Sequence, residues 1–363
     1  MIFDTKYDAV KEQIKAIDPI AYGRTRNYLD GAVTKLSPYI SRGVISTRQI
    51  LDSVLSRGYV IEEIESFVKE LAWRDFFQRT LQSTPALITT AIKNTQQKVN
   101  NNEIPSAILE ANTGINAIDY GITSLYKTGY MHNHLSMYIA SIVCIVAQSD
   151  WKMPSQWLYY HLLDADVASN SCSWQWVCGA NSNKKYFANQ ENINRYFSTA
   201  QQATFLDVPY EDFDDLEIPA ILTATAIPAL TTVLPLMASF EIDHTKPTLL
   251  YNFYNLDPIW HTALDCNRVL ILEPSHFTRF PVSSNTINFV LALSKNIPSL
   301  QVFVGEYDAL QALHQIKNFI FKEHPLFKHY EGVREERDWM FPNVKGNFSS
   351  FFSYWKKAMK DYK

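Results

Sequence analysis

Residues 130–179, YMHNHLSMYIASIVCIVAQSDWKMPSQWLYYHLLDADVASNSCSWQWVCG, decide the fold and the chemistry of this chain. An apolar helix is predicted to run to about Gln148. Polar and aromatic side chains then recur between apolar runs: Trp151, Asp164, Asp166, Asn170, Trp174 and Trp176. Buried carboxylates and amides cost free energy unless a partner satisfies them. The stretch therefore predicts one side of a buried polar ligand site with aromatic walls.

The composition is that of a folded globular protein. The chain has 363 residues, a length that favours two domains. Of these residues 47% are hydrophobic and 19% are charged, a composition that favours a folded chain over a disordered one. No run of about 18 apolar residues indicates a membrane span. The N-terminal segment lacks the apolar core of a secretory signal, and the four cysteines form no C-x-x-C pair. We therefore expect a cytoplasmic monomer with no membrane partner.

The net charge of −4 argues weakly against a nucleic-acid partner. The charge is unevenly divided, however. Residues 1–205 carry 19 basic and 18 acidic side chains, a balance of +1, whereas residues 206–363 carry 14 and 19, a balance of −5. If one part of the chain meets a polyanion, it is the first.

Periodicity predicts a mainly α fold that ends in a small α/β unit. Residues 1–205 have helical spacing nearly throughout, with helices at 61–81 and 114–128, and residues 206–247 form a proline-rich connecting arm that packs on both halves. Within residues 248–363, short apolar runs at 248–254, 268–274 and 300–306 predict strands. Helical patterns at 285–295 and 309–323 alternate with them, which is typical of a parallel sheet.

Two motifs in the first half have both a structural and a functional interpretation. The turn at residues 33–38 leads into a helix, with Ser37 as its N-cap and Pro38 as its first residue. Such a turn is a plain capped helix start or an anion site. Further on, Glu70, Trp73 and Arg74 share one helix face, either as an ion pair with a packed tryptophan or as part of a site. Ser46 is predicted to cap the helix that runs to Leu55.

Metal binding has little support in the sequence. His132 and His134 are two residues apart and point to different sides of a helix, which makes a poor metal pair. Asp164 and Asp166 lie in an irregular segment where a divalent cation is conceivable. The spacing does not favour it, and we predict no metal site.

The motifs TKLSP, ELAWRDFF, TGYMHNHLSM, DW, LLDADVASN and WQW, in this order and spacing, resemble the FAD-binding helical domain of the DNA photolyase and cryptochrome family. The resemblance covers roughly residues 20–200. Each motif alone is weak, but their order is specific. It implies a helical FAD-binding domain over residues 1–205, with FAD as the cofactor.

The resemblance also implies cofactor-binding residues. The FAD diphosphate would be held by the backbone of Thr34, Lys35, Leu36 and Ser37, with Tyr22 close by. The cavity near the flavin and the substrate would be lined by Glu70, Trp73 and Arg74. The isoalloxazine and ribitol would contact Asn133, Asp164 and Asp166, and Asn170 would face flavin N5.

A lesion pocket and an electron relay are implied in the same way. The lesion would contact Glu70, Trp73, Asn133, His134, Met137 and Trp176. Trp151 and Trp174 match two members of the family's tryptophan relay. With Glu70 and Asn170, these two tryptophans form the predicted catalytic set.

Three departures from the family pattern stand out. Ser136 occupies the position of an arginine that would pair with Asp164. No tryptophan lies between Trp73 and Trp151, so the relay is expected to end on a tyrosine such as Tyr126 or Tyr130. Finally, the family's N-terminal antenna domain has no counterpart ahead of the helical part. The C-terminal α/β unit is then a relocated antenna-like module or an unrelated domain, and we favour a structural or docking role.

The resemblance implies a light-dependent lyase that repairs cyclobutane pyrimidine dimers in single- or double-stranded DNA. Light would excite reduced FAD, one electron would pass to the flipped-out lesion, and the electron would return after the ring splits. The alternative is a cryptochrome-like photoreceptor that binds FAD without repair, with a protein partner at the C-terminal domain. A light-independent flavin-binding scaffold is a third interpretation.

Overall fold

The computed structural model describes residues 3–181, 184–236, 241–314 and 318–362. The chain divides into two compact units. Unit 1 comprises Met1–Ile20, Thr34–Pro85 and Thr231–Lys363, and unit 2 comprises Ala21–Val33 and Ala86–Leu230. These units cross the three contiguous segments predicted from the sequence, because the helices of residues 34–85 pack with the α/β part. The predicted arm at 206–247 is divided between the two units, with residues up to Leu230 in unit 2 and residues from Thr231 in unit 1.

The described helices confirm a mainly α fold. They are α1 (Tyr7–Lys15), α2 (Pro19–Thr25), α3 (Ser37–Ser41), α4 (Thr47–Leu55), α5 (Glu65–Ser83), α6 (Ser106–Leu109), α7 (Asn116–Thr128), α8 (Asn133–Ser141), α9 (Lys152–His161), α10 (Val167–Val177), α11 (Gln190–Phe197), α12 (Pro274–Arg279), α13 (Ser284–Ser294), α14 (Tyr307–His314) and α15 (Phe351–Tyr362). Short 3-10 segments lie at Pro85–Ile88, Tyr210–Asp212 and Ala220–Leu222. In the described ranges, none of the helices is long and apolar enough to cross a bilayer.

The strands form two sheets. They are β1 (Ile104–Pro105), β2 (Thr225–Ala226), β3 (Thr248–Tyr251), β4 (Asn267–Leu272), β5 (Leu300–Val304), β6 (Phe319–Lys322) and β7 (Val333–Glu335). In unit 2, β1 pairs with β2 antiparallel. In unit 1, a parallel sheet has the order β5-β4-β3-β6-β7. The predicted C-terminal α/β unit is therefore confirmed, and the strand order reverses direction between β3 and β6.

Local predictions held where short-range chemistry decides. Ser46 accepts from the Gln49 N–H at 3.0 Å, and the Gln49 side chain accepts from the Ser46 N–H at 2.9 Å, so α4 begins in a capping box. Ser37, predicted as an N-cap, is instead the first residue of α3, and Leu36 holds the cap position without a side-chain hydrogen bond.

Two predicted helices differ from the structure. The helix expected to run to about Gln148 changes after α8 into a π-helical turn at Ile142–Val146, closed by a 2.8 Å bond from the Ala147 N–H to the Ile142 carbonyl. The helix predicted over residues 309–323 is wrong in its second half, where β6 lies. Phe319 and Phe321 are buried and alternate with partly exposed neighbours, so this segment follows the two-residue period of a strand.

Arg42 is buried in unit 1, next to the residue segment that follows β3. Open α/β sheets bind ligands at the point where strand order reverses, here between β3 and β6. Arg42 is 0% exposed, and its guanidinium lies 3.6 Å from the centre of the Phe253 ring, just beyond β3. Its carbonyl accepts from the Leu256 N–H at 2.9 Å. A side chain from the helical part of unit 1 thus packs on the residues that follow β3.

Candidate functional site

The predicted site residues fall into two sets. Unit 1 holds Thr34, Lys35, Leu36, Ser37, Glu70, Trp73 and Arg74, and unit 2 holds Tyr22, Asn133, His134, Met137, Trp151, Asp164, Asp166, Asn170, Trp174 and Trp176.

In unit 2 the loops that precede α8 and α10 lie side by side. The Leu163 N–H donates to the Gly129 carbonyl at 2.8 Å. Gly129 ends α7 in the left-handed conformation, with φ of 70°, and a Cβ there would lie 2.6 Å from Leu163 Cγ. Glycine is therefore required both for the backbone turn and for the close approach. This contact brings the starts of two helices, and the polar residues on them, to one place.

The start of α8 carries Asn133 and Met137 on one face, as the sequence predicts. The Asn133 side chain is exposed, and its amide nitrogen lies 3.8 Å from the Met137 sulfur. Ser136, which replaces the family's arginine, donates its hydroxyl to the Asn133 carbonyl at 2.7 Å. The Ser136 hydroxyl thus forms its hydrogen bond within its own helix.

The start of α10 carries the paired aspartates and Asn170. Asp166 is 5% exposed and caps the helix, since its Oδ1 accepts from the Ser169 N–H at 2.7 Å. Asn170 is half-buried, and its amide donates to the Ser155 carbonyl at 2.9 Å. One of its two amide hydrogens is used by this bond, which fixes the orientation of the side chain.

Asp164 lies close to a tyrosine of the neighbouring loop. Burial, and secondly the negative charge of Asp164, raise the pKa of the Tyr130 hydroxyl well above its usual range. Tyr130 thus stays protonated as a neutral phenol beside the carboxyl group. Tyr130 therefore lies in the surroundings of Asp164.

The tryptophans of unit 2 separate by exposure. Trp151 and Trp174 are each 2% exposed and belong to the hydrophobic core that α7, α8, α9 and α10 share. Trp176 is 40% exposed, and its ring centre lies 5.5 Å from that of Tyr186. The two predicted relay residues are therefore shielded from water, and the predicted lesion residue reaches the surface of its unit.

His134 has both ring nitrogens engaged. Nδ1 lies 3.1 Å from the Asn27 carbonyl, and Nε2 lies 2.9 Å from the Tyr186 hydroxyl. Donation from Nδ1 to the carbonyl leaves Nε2 to accept from the tyrosine, and burial lowers the pKa of the ring. This neutral, 7% exposed histidine does not fit the predicted contact to a phosphate or lesion without loss of these bonds.

In unit 1, the predicted diphosphate turn has a strained residue. Lys35 adopts the left-handed conformation with φ of 52°, which is uncommon for a residue other than glycine. The Thr34 carbonyl accepts from the Gln13 side chain at 2.6 Å, and the Thr34 hydroxyl accepts from the Leu36 N–H at 3.4 Å. The side chains of Gln13 and Thr34 thus bond the backbone of the residues before and after Lys35.

On α5, Arg74 donates to the Ser41 hydroxyl at 2.8 Å. At the preceding residue, the Trp73 ring stacks on Phe351 of α15, with ring centres 3.8 Å apart and planes 10° apart. Glu70 and Trp73 are half-buried.

Several residues of the site were missed at the sequence level. Tyr186 contacts both His134 and Trp176, and Phe351 contacts Trp73. Neither belongs to one of the six motifs. The described residues contain no group of three or more metal-ligating side chains that could hold an ion.

Comparison with known proteins identifies the domain. Residues 67–213 match the family model described as the FAD binding domain of DNA photolyase. A deoxyribodipyrimidine photo-lyase of Synechococcus is 30% identical over 196 residues, which cover 51% of this chain and 39% of that protein. A cryptochrome DASH of Natronomonas pharaonis is 29% identical over 193 residues, covering 50% of this chain and 41% of the relative. Residues 67–213 are therefore similar to the FAD-binding domain of the DNA photolyase and cryptochrome family.

A cryptochrome structure from Synechocystis is 23% identical, with a TM-score of 0.47, and the similarity covers 54% of this chain and 44% of that one. The matches span about two fifths of the length of the curated relatives.

The unit 2 residues fit a flavin. Two amides and two carboxyl groups lie on helix starts that the Gly129–Leu163 contact brings together. Helix starts carry partial positive charge and favour an anionic group. Asn133 and Asn170 supply donors and acceptors for the edge of a heteroaromatic ring.

Substitution of Gly129 should open this arrangement. In Gly129→Ala, we expect a loss of about 1–3 kcal/mol of unfolding free energy from the positive φ and the contact with Leu163. FAD affinity should fall as the loops separate, measured by titration of the apoprotein.

Gly114→Ala is the matched control, because Gly114 also has positive φ, of 77°, but a Cβ there meets nothing within 4 Å. It should lose stability without losing FAD affinity. Equal FAD affinity in both variants would contradict the account.

Proposed function

We propose that this chain is a light-dependent flavoprotein that repairs cyclobutane pyrimidine dimers in DNA. The observation that carries the proposal is the division of unit 2 aromatic and polar residues by exposure. The predicted lesion contacts Asn133 and Trp176 are exposed, whereas Trp151 and Trp174 are buried. A pure flavin-binding scaffold has no need of an exposed tryptophan near a buried pair.

FAD, when bound and reduced, supplies the electron that light drives into the dimer. The chain's own residues bind and orient the cofactor and the lesion. Within unit 2, Asp164, Asp166, Asn133 and Asn170 hold the edge of the flavin ring in this proposal. Within unit 2, the proposed contacts of the flipped-out lesion are Asn133, Met137 and Trp176, and extrusion of the lesion costs least at a damaged base. A protonated Glu70 would donate a hydrogen bond to the lesion. No metal is required.

The second candidate is a photoreceptor that binds FAD without repair. The observation that favours it is the neutral, fully engaged His134, which removes a cationic contact to DNA. The net charge of −4 points the same way. In this case a protein partner would dock on the C-terminal α/β unit.

For the α/β unit itself, we propose a structural role. The support for it is that Arg42, from the helical part of unit 1, is buried against Phe253 just after β3, which favours a bracing role over an antenna role. We place the protein in the cytoplasm as a monomer.

Illumination separates the two candidates. The protein, loaded with FAD and reduced chemically, is exposed to blue light with dimer-containing single- and double-stranded DNA. The repair proposal predicts loss of dimers that depends on both light and protein. A flavin-loaded protein that leaves every dimer intact would contradict the repair proposal.

A further inference from the structure

The closest ring stack on the predicted site joins α5 to the last helix of the chain. Trp73 and Phe351 have ring centres 3.8 Å apart and planes 10° apart, which is a face-to-face contact. Phe351 is the first residue of α15, which packs on α5 within unit 1. A residue at the far end of the sequence thus determines the surroundings of Trp73.

Phe351 is itself held rigidly. It is 3% exposed, its ring lies nearly parallel to that of Trp355 at 6.2 Å, and its edge contacts Phe76 at 5.9 Å. Phe76 and Phe77 also contact Trp73, at 5.7 Å and 5.3 Å. The indole is therefore fixed by one flat contact and two neighbours on its own helix.

Trp73 nevertheless keeps accessible surface. It is half-buried although Phe351 covers one face of the ring. An indole held in one orientation loses little conformational freedom when a base stacks on it, and such preorganisation raises affinity. Without the stack, the ring would be free to turn about its side-chain bonds.

We propose that Phe351 is a positioning residue for the substrate: it holds the Trp73 indole in the orientation that receives the pyrimidine dimer. This inference rests on the proposed repair function. It gives the C-terminal α/β part a direct contribution to substrate binding, through one side chain of its last helix.

The test compares Phe351 variants of the full chain loaded with FAD. In Phe351→Ala, we expect the Kd for a dimer-containing oligonucleotide in the dark to rise about five- to tenfold, with affinity for undamaged DNA unchanged. FAD content and kcat at saturating substrate should stay at the wild-type level, since Phe351 contacts neither cofactor nor lesion. Phe351→Tyr keeps the flat face and should retain affinity. Phe352→Ala is the matched control, because Phe352 is adjacent and 69% exposed.

A double-mutant cycle distinguishes positioning from general packing. Once Trp73 is replaced in Trp73→Ala, the Phe351→Ala change should no longer weaken dimer binding. If Phe351→Ala unfolds the protein, Phe351→Leu keeps the apolar volume without the flat face and should show the same selective loss. Wild-type dimer affinity in Phe351→Leu, or additive effects in the cycle, would overturn the inference. A wild-type protein with no preference for dimer DNA would instead overturn the proposed function.

Discussion

Replacement of Trp174 by phenylalanine should slow photoreduction of the bound flavin by roughly tenfold or more, because a phenyl ring is far harder to oxidise and each tenfold corresponds to about 1.4 kcal/mol of barrier. Trp174 is 2% exposed in the core of unit 2, on the same helix as Asn170. Repair by chemically pre-reduced protein should be spared, since the relay supplies electrons only to oxidised flavin. Transient absorption after a blue flash measures the first effect, and dimer loss measures the second.

Trp260→Phe is the matched control for this experiment. Trp260 is also buried, at 7% exposure, but it lies in unit 1, donates to the Glu335 carboxylate at 2.8 Å and belongs to no relay motif. Its replacement should cost stability without slowing photoreduction. Unchanged photoreduction in Trp174→Phe would show that the relay assignment is wrong.

Acidification should destabilise unit 1 strongly. Burial, and secondly the nearby charge of Arg42, lower the pKa of His276 to about 3, and burial lowers that of His324 well below 6.5. At a pH between the folded-state and unfolded-state pKa of these histidines, the unfolded chain binds more protons than the folded one. The stabilisation is therefore complete above pH 6.5 and is lost as pH falls, by about 1.4 kcal/mol per pH unit for each histidine.

Denaturant unfolding at pH 7, 5.5 and 4.5 checks this expectation. His276 packs among Phe253, Phe277, Phe280 and Phe327, so His276→Phe suits its surroundings. This variant should remove about 1.4 kcal/mol per pH unit from the slope below pH 6. His244→Gln, at an exposed position, should leave the slope unchanged. An identical slope in wild type and His276→Phe would contradict the role of buried histidine.

The sequence predicted what short-range chemistry and motif order decide. The Ser46 capping box and the Asn133–Met137 face follow from spacings of three and four residues along a helix. The mainly α class and the parallel C-terminal sheet follow from periodicity. The resemblance followed from six motifs in order, and residues 67–213 match the family model described as the FAD binding domain of DNA photolyase.

Long-range packing was beyond the sequence. β6 was predicted as helix because its identity as a strand depends on pairing with β3, about seventy residues earlier. The burial of Arg42 against Phe253 joins segments more than two hundred residues apart. The stack of Phe351 on Trp73 is of the same kind. Such contacts depend on tertiary structure that no local pattern encodes.

The central claim is that the polar helix starts of unit 2 belong to an FAD-binding domain. The absorbance spectrum of the purified protein, before and after incubation with FAD and removal of unbound cofactor, tests it most directly. The account predicts a bound-flavin spectrum with close to one FAD per chain, and a lower content in Gly129→Ala than in Gly114→Ala. A folded protein that remains colourless after incubation with FAD would contradict it.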